Sequence, residues 1–249
     1  ETLQALRCAG VAAKAGKCMF GVAEADFLGH HVSAAGYTPL LDRTKAMREY
    51  PTPANTAALR RFLGITGYYR SFVPNYSTTA APLTSLLKKG ATWMCGEKEQ
   101  AAMKAITGTL SRAPSLAYPD TSKEFILFTD ASDTGAGAVV SQNDEAGTER
   151  PVAFLSRTFS AAETRYSVTE RECLAVVLAC RAVRHWILGR PTVVFTDHAA
   201  LKWLAVSGRE PTTGRLSRWL AELQEFSLHV RHRAGRLMVH ADALSRAPL

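Results

Sequence analysis

This 249-residue sequence lacks any CxxC pair and any Cys/His spacing of the kind that holds zinc. That absence excludes zinc-finger and thioredoxin-type chemistry. The five cysteines (Cys8, Cys18, Cys95, Cys173, Cys180) are scattered, and Cys173 and Cys180 fall two turns apart on one expected helix, too distant to bridge. Free thiols in a reducing compartment are therefore expected. No uninterrupted apolar run reaches the roughly 18–20 residues of a membrane-crossing helix, and no signal-peptide pattern opens the chain, so no membrane partner is expected. Internal repeats and low-complexity tracts are missing as well, which excludes solenoids and arrays. Residue 1 is Glu rather than Met, and a fragment or processed product is the expectation.

What is present is the composition of a folded domain, with 47% hydrophobic and 8% aromatic residues, which excludes wholesale disorder. The net charge of +8 is unevenly spread: residues 1–119 carry 14 Lys/Arg against 7 Asp/Glu, and residues 120–249 carry 16 against 15. A basic first half calls for a polyanionic partner, most often nucleic acid.

Residues 18–38 read as short strands around a Gly-marked turn. After the prolines of "YPTPAN", Asn55 or Thr56 caps a helix running to about Arg70, with Ala58, Phe62, Ile65, Tyr69 and Phe72 at helical spacing. Further helices are expected at about 80–88 and 97–111. "RAPSLAYPDTSK" then reads as a domain boundary. Beyond it the pattern predicts strands at 124–130, 136–141, 151–156, 192–197 and 227–232. Helices are expected at about 170–187, 199–206, 213–225 and 238–246. That order gives an α/β fold, a mixed sheet covered by helices.

Four acids sit against apolar runs. Asp130 ends "FILFTD", Asp197 ends "TVVFTD", Glu172 lies in the first turn of an expected helix, and Asp242 lies on the last one. Each alone has an ordinary reading. Asp130 and Asp197 suit turns, Thr169-x-x-Glu172 suits a capping box, and Asp242 suits a solvated helical face. Together they suggest more. Converging carboxylates about 4 Å apart repel by on the order of 4 kcal/mol per pair at an effective dielectric of about 20. Divalent cations remove that conflict, and all-oxygen ligation selects Mg²⁺ or Mn²⁺ over zinc. Two such ions can drive phosphodiester hydrolysis.

The strings "TDASD…GAGAVVSQ", "PVAFLSRTFSAAETRYSVTERECLAVV", "GRPTVVFTDHAALKWL", "RLSRWLAELQEF" and "HADALSR" resemble the RNase H domain of gypsy-type LTR retrotransposon Pol polyproteins. Upstream, "FLGHHVSAAGY" and "RRFLGITGYYRSFVPNYSTTAAPLTSLLKK" resemble the reverse-transcriptase palm end, thumb and connection of that family. The resemblance implies a palm end with the primer-grip region at 1–38, thumb and connecting helices at 39–117, and an RNase H-like five-stranded sheet with flanking helices at 118–249. It implies cleavage of RNA in RNA/DNA hybrids, with Asp130, Glu172, Asp197 and Asp242 holding two Mg²⁺ (Mn²⁺ as substitute) and His232, in a loop, assisting proton transfer or product departure. Arg60, Arg61, Gly64, Gly67 and Arg70 would face a template–primer duplex, and Ser132, Thr169 and Thr196 would contact phosphates or ribose hydroxyls. Tyr68 and Tyr69 read as core residues rather than base-stacking platforms.

Departures from the family pattern are Ala131, where cellular relatives have Gly, and His240, where the family has Val. The sequence has no Asp-Asp dipeptide, so no polymerase site is expected, and the missing fingers and palm become partners. A homo-oligomer is compatible with the resemblance, as is residence in cytoplasmic retroelement particles or the nucleus. The alternative reading is a catalytically idle nucleic-acid-binding or scaffolding remnant. An integrase-like nuclease shares the fold class but not the thumb.

Overall fold

The computed structural model describes residues 2–14, 16, 18–198 and 214–233. The expected helices at 199–206 and 238–246, together with His240 and Asp242, lie outside the described residues.

After a short helix α1 (Thr2–Cys8), three strands form an antiparallel sheet in the order β1 (Glu24–Phe27), β2 (His30–Ser33), β3 (Gly36–Pro39). Gly36 has a φ of +123°, and a Cβ on it would meet Leu116 O at 2.2 Å. Only glycine lets this turn approach so closely, and the neighbouring Tyr37 and Leu116 exchange two backbone hydrogen bonds there.

Helices α2 (Leu41–Arg48), α3 (Thr56–Tyr68), α4 (Tyr76–Thr79), α5 (Ala81–Ser85) and α6 (Glu97–Ser111) follow. Asn55 caps α3, its Oδ1 accepting from Ala58 N at 2.9 Å. The expected helix at 80–88 is instead two short ones that begin earlier. Pro82 sits in the first turn of α5, where its missing N–H costs nothing. On α3 the buried row is Leu59, Phe62 and Thr66, while Ile65, at 38% exposure, faces outward against the expected periodicity.

The second sheet runs in the order β6-β5-β4-β7-β8, built from β4 (Phe125–Ala131), β5 (Gly135–Asn143), β6 (Glu149–Thr158), β7 (Thr192–Thr196) and β8 (Leu228–His232). The β4–β5 and β5–β6 pairs are antiparallel, and β4–β7 and β7–β8 are parallel. Between them lie α7 (Val168–Ala182), α8 (Arg184–Ile187) and α9 (Gly214–Leu223).

The central strand β4 is buried on both faces, which explains its unbroken apolar run. Phe125 and Leu127 point into one core with Val140, Val176, Cys180 and Val194. Ile126 and Phe128 point the other way, into a core shared with Phe62, Phe72, Leu83 and Ile106 of the first half. That alternation is the period of two of a strand. Helices α2 to α6 thus cover one face of the sheet, and α7 with α9 covers the other. All five cysteines are free, and burial pushes the Cys173 and Cys180 thiols up to about 12. Among the described residues no helix is long and apolar enough to cross a membrane.

Candidate metal centre at the ends of two strands

β4 and β7 are parallel neighbours, with Thr129 opposite Thr196. The residue after each, Asp130 near the end of β4 and Asp197 just past β7, therefore lies at the same end of the sheet. Parallel register alone brings together two acids 67 positions apart in the chain.

Glu172 arrives from α7. The ordinary alternative for Glu172, a capping box with Thr169, does not hold. Ser167, not Thr169, is the N-cap, and its reciprocal partner is Glu170, whose carboxylate accepts from Ser167 N at 2.9 Å. Glu172 therefore falls in the second turn rather than the first and is free of capping. It is only 5% exposed, and its Oε2 is buried with no hydrogen-bond partner among the described residues.

One carboxylate oxygen from each of Asp130, Glu172 and Asp197 lies within 4.8 Å of the others. Burial first, then the charges of Asp130 and Asp197, push Glu172 up to about 8. Burial and the Asp197 charge likewise raise Asp130, while the Ala131 amide opposes both shifts. That amide is a backbone group, so Ala serves at position 131 as well as Gly would. An orphaned buried oxygen and mutually raised proton affinities are the marks of a site short of positive charge. An all-oxygen donor set fits a hard divalent cation.

Two neighbours of Glu172 tie α7 to the strand ends. Thr169 Oγ1 and His198 Nε2 are 3.0 Å apart, and His198 N donates to Thr196 Oγ1 at 3.2 Å. On the other side Arg171 Nη1 donates to Ser132 O at 3.2 Å and to Asp133 Oδ1 at 2.5 Å. Neither Arg171 nor His198 stands out in the sequence. Their only signal there is that each adjoins a motif acid.

His232 ends strand β8 rather than lying in a loop, paired with Thr196, and its Nε2 is 3.0 Å from Asp197 O. Ser132 Oγ accepts from Thr134 N and Gly135 N, so it closes its own turn. Thr196 is fully buried. The competing acids are occupied, Glu163 by Arg157 and Ser160, and Glu170 by the cap and Arg215.

Arg60, Arg61 and Gly64 lie exposed on α3, and a Cβ on Gly64 would meet nothing within 4 Å among the described residues. Gly67 instead faces Tyr76, whose hydroxyl would lie 3.6 Å from a Cβ at that position. Arg70 turns away to Ser156 O and lies over the Tyr76 ring. Tyr69 is buried as expected, whereas Tyr68 is exposed, and both hydroxyls donate to the β1–β2 turn, at Gly29 O and Leu28 O.

A family model described as the RNase H-like domain found in reverse transcriptase matches residues 120–226. The retrovirus-related Pol polyprotein from transposon 297 of Drosophila melanogaster is 41% identical over 231 residues, which is 92% of this chain and 21% of that one. The transposon Tf2-3 polyprotein of Schizosaccharomyces pombe is 35% identical over 248 residues, 99% of this chain and 19% of that one. The chain thus spans about a fifth of the length of these relatives. Among solved structures, a foamy viral protease–reverse transcriptase in complex with dsDNA superposes with a TM-score of 0.71 at 21% identity, covering 86% of this chain and 45% of that one. The same kind of protein in complex with an RNA/DNA hybrid gives 0.69 at 21% identity, covering 86% and 29%. These likenesses show a shared fold.

Proposed function

We propose a function for this chain as a member of the retrotransposon Pol polyprotein family whose residues 120–226 are an RNase H-like domain. It is a nuclease that hydrolyses the RNA strand of RNA/DNA hybrids with divalent metal. The observation that carries this reading is the convergence of Asp130, Glu172 and Asp197, with Glu172 Oε2 buried and unpartnered among the described residues. These three, with Asp242 from outside the described residues, would hold Mg²⁺ or Mn²⁺. Such ions, when bound, supply an activated water and neutralise charge on the leaving oxygen.

The chain's own residues do the rest. The two parallel strands fix Asp130 and Asp197 at one end of the sheet, and α7 brings a desolvated Glu172 beside them. His232 keeps Nε2 on the Asp197 carbonyl, so any proton it carries to product passes through Nδ1. The exposed Arg60, Arg61 and Gly64 face of α3 receives the phosphates of a template–primer duplex. Binding there weakens steeply with salt.

The test is a labelled RNA/DNA hybrid incubated with the chain in Mg²⁺ or Mn²⁺, beside Asp197→Asn and a chelator control. Metal-dependent cutting of the RNA strand by the wild type alone is expected. Cutting that survives chelation, or equal cutting by the variant, overturns the reading.

A further inference from the structure

We propose that Arg171 is a positioning residue, which clamps the turn after Asp130 to the helix that carries Glu172 and so sets the spacing of those two carboxylates. The inference rests on the metal-holding reading above and deepens it.

The clamp has two rigid ends. On one side is the turn 132–135. Ser132 N donates to Gly135 O at 2.8 Å, and Ser132 Oγ accepts from Thr134 N at 3.2 Å and Gly135 N at 3.1 Å. One residue, Ala131, separates Asp130 from this locked turn. On the other side is α7, held by its own capping box and buried along its length from Glu172 to Val177. The Arg171 guanidinium spans the gap, with Nη1 on both Ser132 O and Asp133 Oδ1.

Stability alone does not explain this contact. Asp133 is 91% exposed, and an ion pair with so wet a partner contributes about 0–1 kcal/mol. Arg171, by contrast, is only 13% exposed, and its buried Nε has no partner among the described residues. A desolvated guanidinium with an orphaned donor carries a cost that such a pair does not offset.

Charge does not explain it either. A positive charge acting on Glu172 competes with a divalent cation rather than recruiting one. What the clamp does is hold the turn and the helix together against the repulsion that Asp130 and Glu172 feel once both are ionised, the form in which they would serve a cation. Outer partners that orient ligands in this way commonly control metal affinity.

The two explanations predict opposite signs. If Arg171 acted only by charge, Arg171→Gln would tighten cation binding. If it acts by position, Arg171→Gln loosens it. Mn²⁺ binding to the full chain, measured by titration calorimetry, reads this directly without any substrate. Arg171→Gln is expected to weaken Mn²⁺ binding by about 10- to 100-fold. Adding Asp133→Asn to it should weaken binding no further, because both changes break one contact. Arg171→Lys keeps the charge but is shorter and lacks the rigid guanidinium plane that holds Nη1 against both acceptors, and is expected to weaken binding by about tenfold.

Thermal melts of the chelated variants separate loss of fold from loss of site, and if Arg171→Gln fails to fold, Arg171→Lys decides. Wild-type affinity in the variants, or tighter binding by Arg171→Gln, overturns the clamp while leaving the nuclease reading intact. A wild-type chain that binds no Mn²⁺ overturns both.

Discussion

Arg70 and Ser156 stand 86 residues apart in the chain, yet Arg70 Nη2 donates to Ser156 O at 2.6 Å. Ser77 joins them, its N donating to Ser156 Oγ and its Oγ to Ser156 O, each at 2.9 Å. The contact caps the edge strand β6 with the segment that follows α3, and it sits over a core common to both halves of the chain.

Arg70 is therefore spent on the fold. Arg70→Ala is expected to lower stability by about 1 kcal/mol, since a hydrogen bond to a charged donor contributes about 1.5–3 kcal/mol and this one is exposed. A urea midpoint measures that loss. Affinity for a template–primer duplex, followed by fluorescence anisotropy, should fall less for Arg70→Ala than for Arg60→Ala or Arg61→Ala.

Glu170 and Glu172 should separate cleanly. Glu170→Ala removes the acid that accepts from Ser167 N, and about 1 kcal/mol of stability should go with it. Its Mn²⁺ binding should persist. Glu172→Gln should do the reverse, abolishing Mn²⁺ binding while raising the melting temperature of the chelated chain at pH 8. Calorimetry and a melt on the same samples check both.

Metal-free stability should fall as pH rises through neutrality. Glu172 holds its proton up to about 8 when folded but releases it near 4.5 when unfolded. The folded chain thus binds more protons between those values, and the stability this group contributes at acid pH is lost across that window. Glu163, Glu170 and Glu222 are shifted down, so they lose stability only at lower pH and do not mask the effect above pH 5.5. Melts of the chelated chain from pH 5.5 to 8.5 should show a decline. Glu172→Gln should make it shallower, because Asp130, His30 and His31 also carry shifted proton affinities, and Mn²⁺ should reverse it.

Gly64 lies mid-helix with open space beside it, at a cost near 1 kcal/mol relative to alanine. Gly64→Ala should therefore raise the melting temperature. Gly64→Leu should leave the fold intact and weaken duplex binding, because bulk on that face blocks a close approach. Unchanged anisotropy for Gly64→Leu would remove this face of α3 from the proposed interface.

Much of this architecture was legible in local pattern. The run Phe125–Phe128 reads as a buried strand, Asn55 reads as a cap, and residues 97–111 read as a helix with the bounds found for α6. The acids Asp130, Glu172 and Asp197 stood out by their apolar context. Such features are set by backbone periodicity and nearest-neighbour hydrogen bonding, which a linear sequence carries.

Choices between locally equivalent groups were not legible. Ser167-x-x-Glu170 and Thr169-x-x-Glu172 both satisfy the capping pattern, and burial of Glu172 against β4 decided between them. Ile65 and Thr66 adjoin on one helix, and the direction of the core put Thr66 inside, where its hydroxyl bonds Phe62 O and Tyr76. Arg70 looked like its neighbours Arg60 and Arg61 until the edge of β6 came beside it. Local pattern was enough to place most strands and helices and to pick out the acids near their ends. Only the tertiary structure decided which of those groups meet, because a contact between distant segments depends on where the sheet and its covering helices place them.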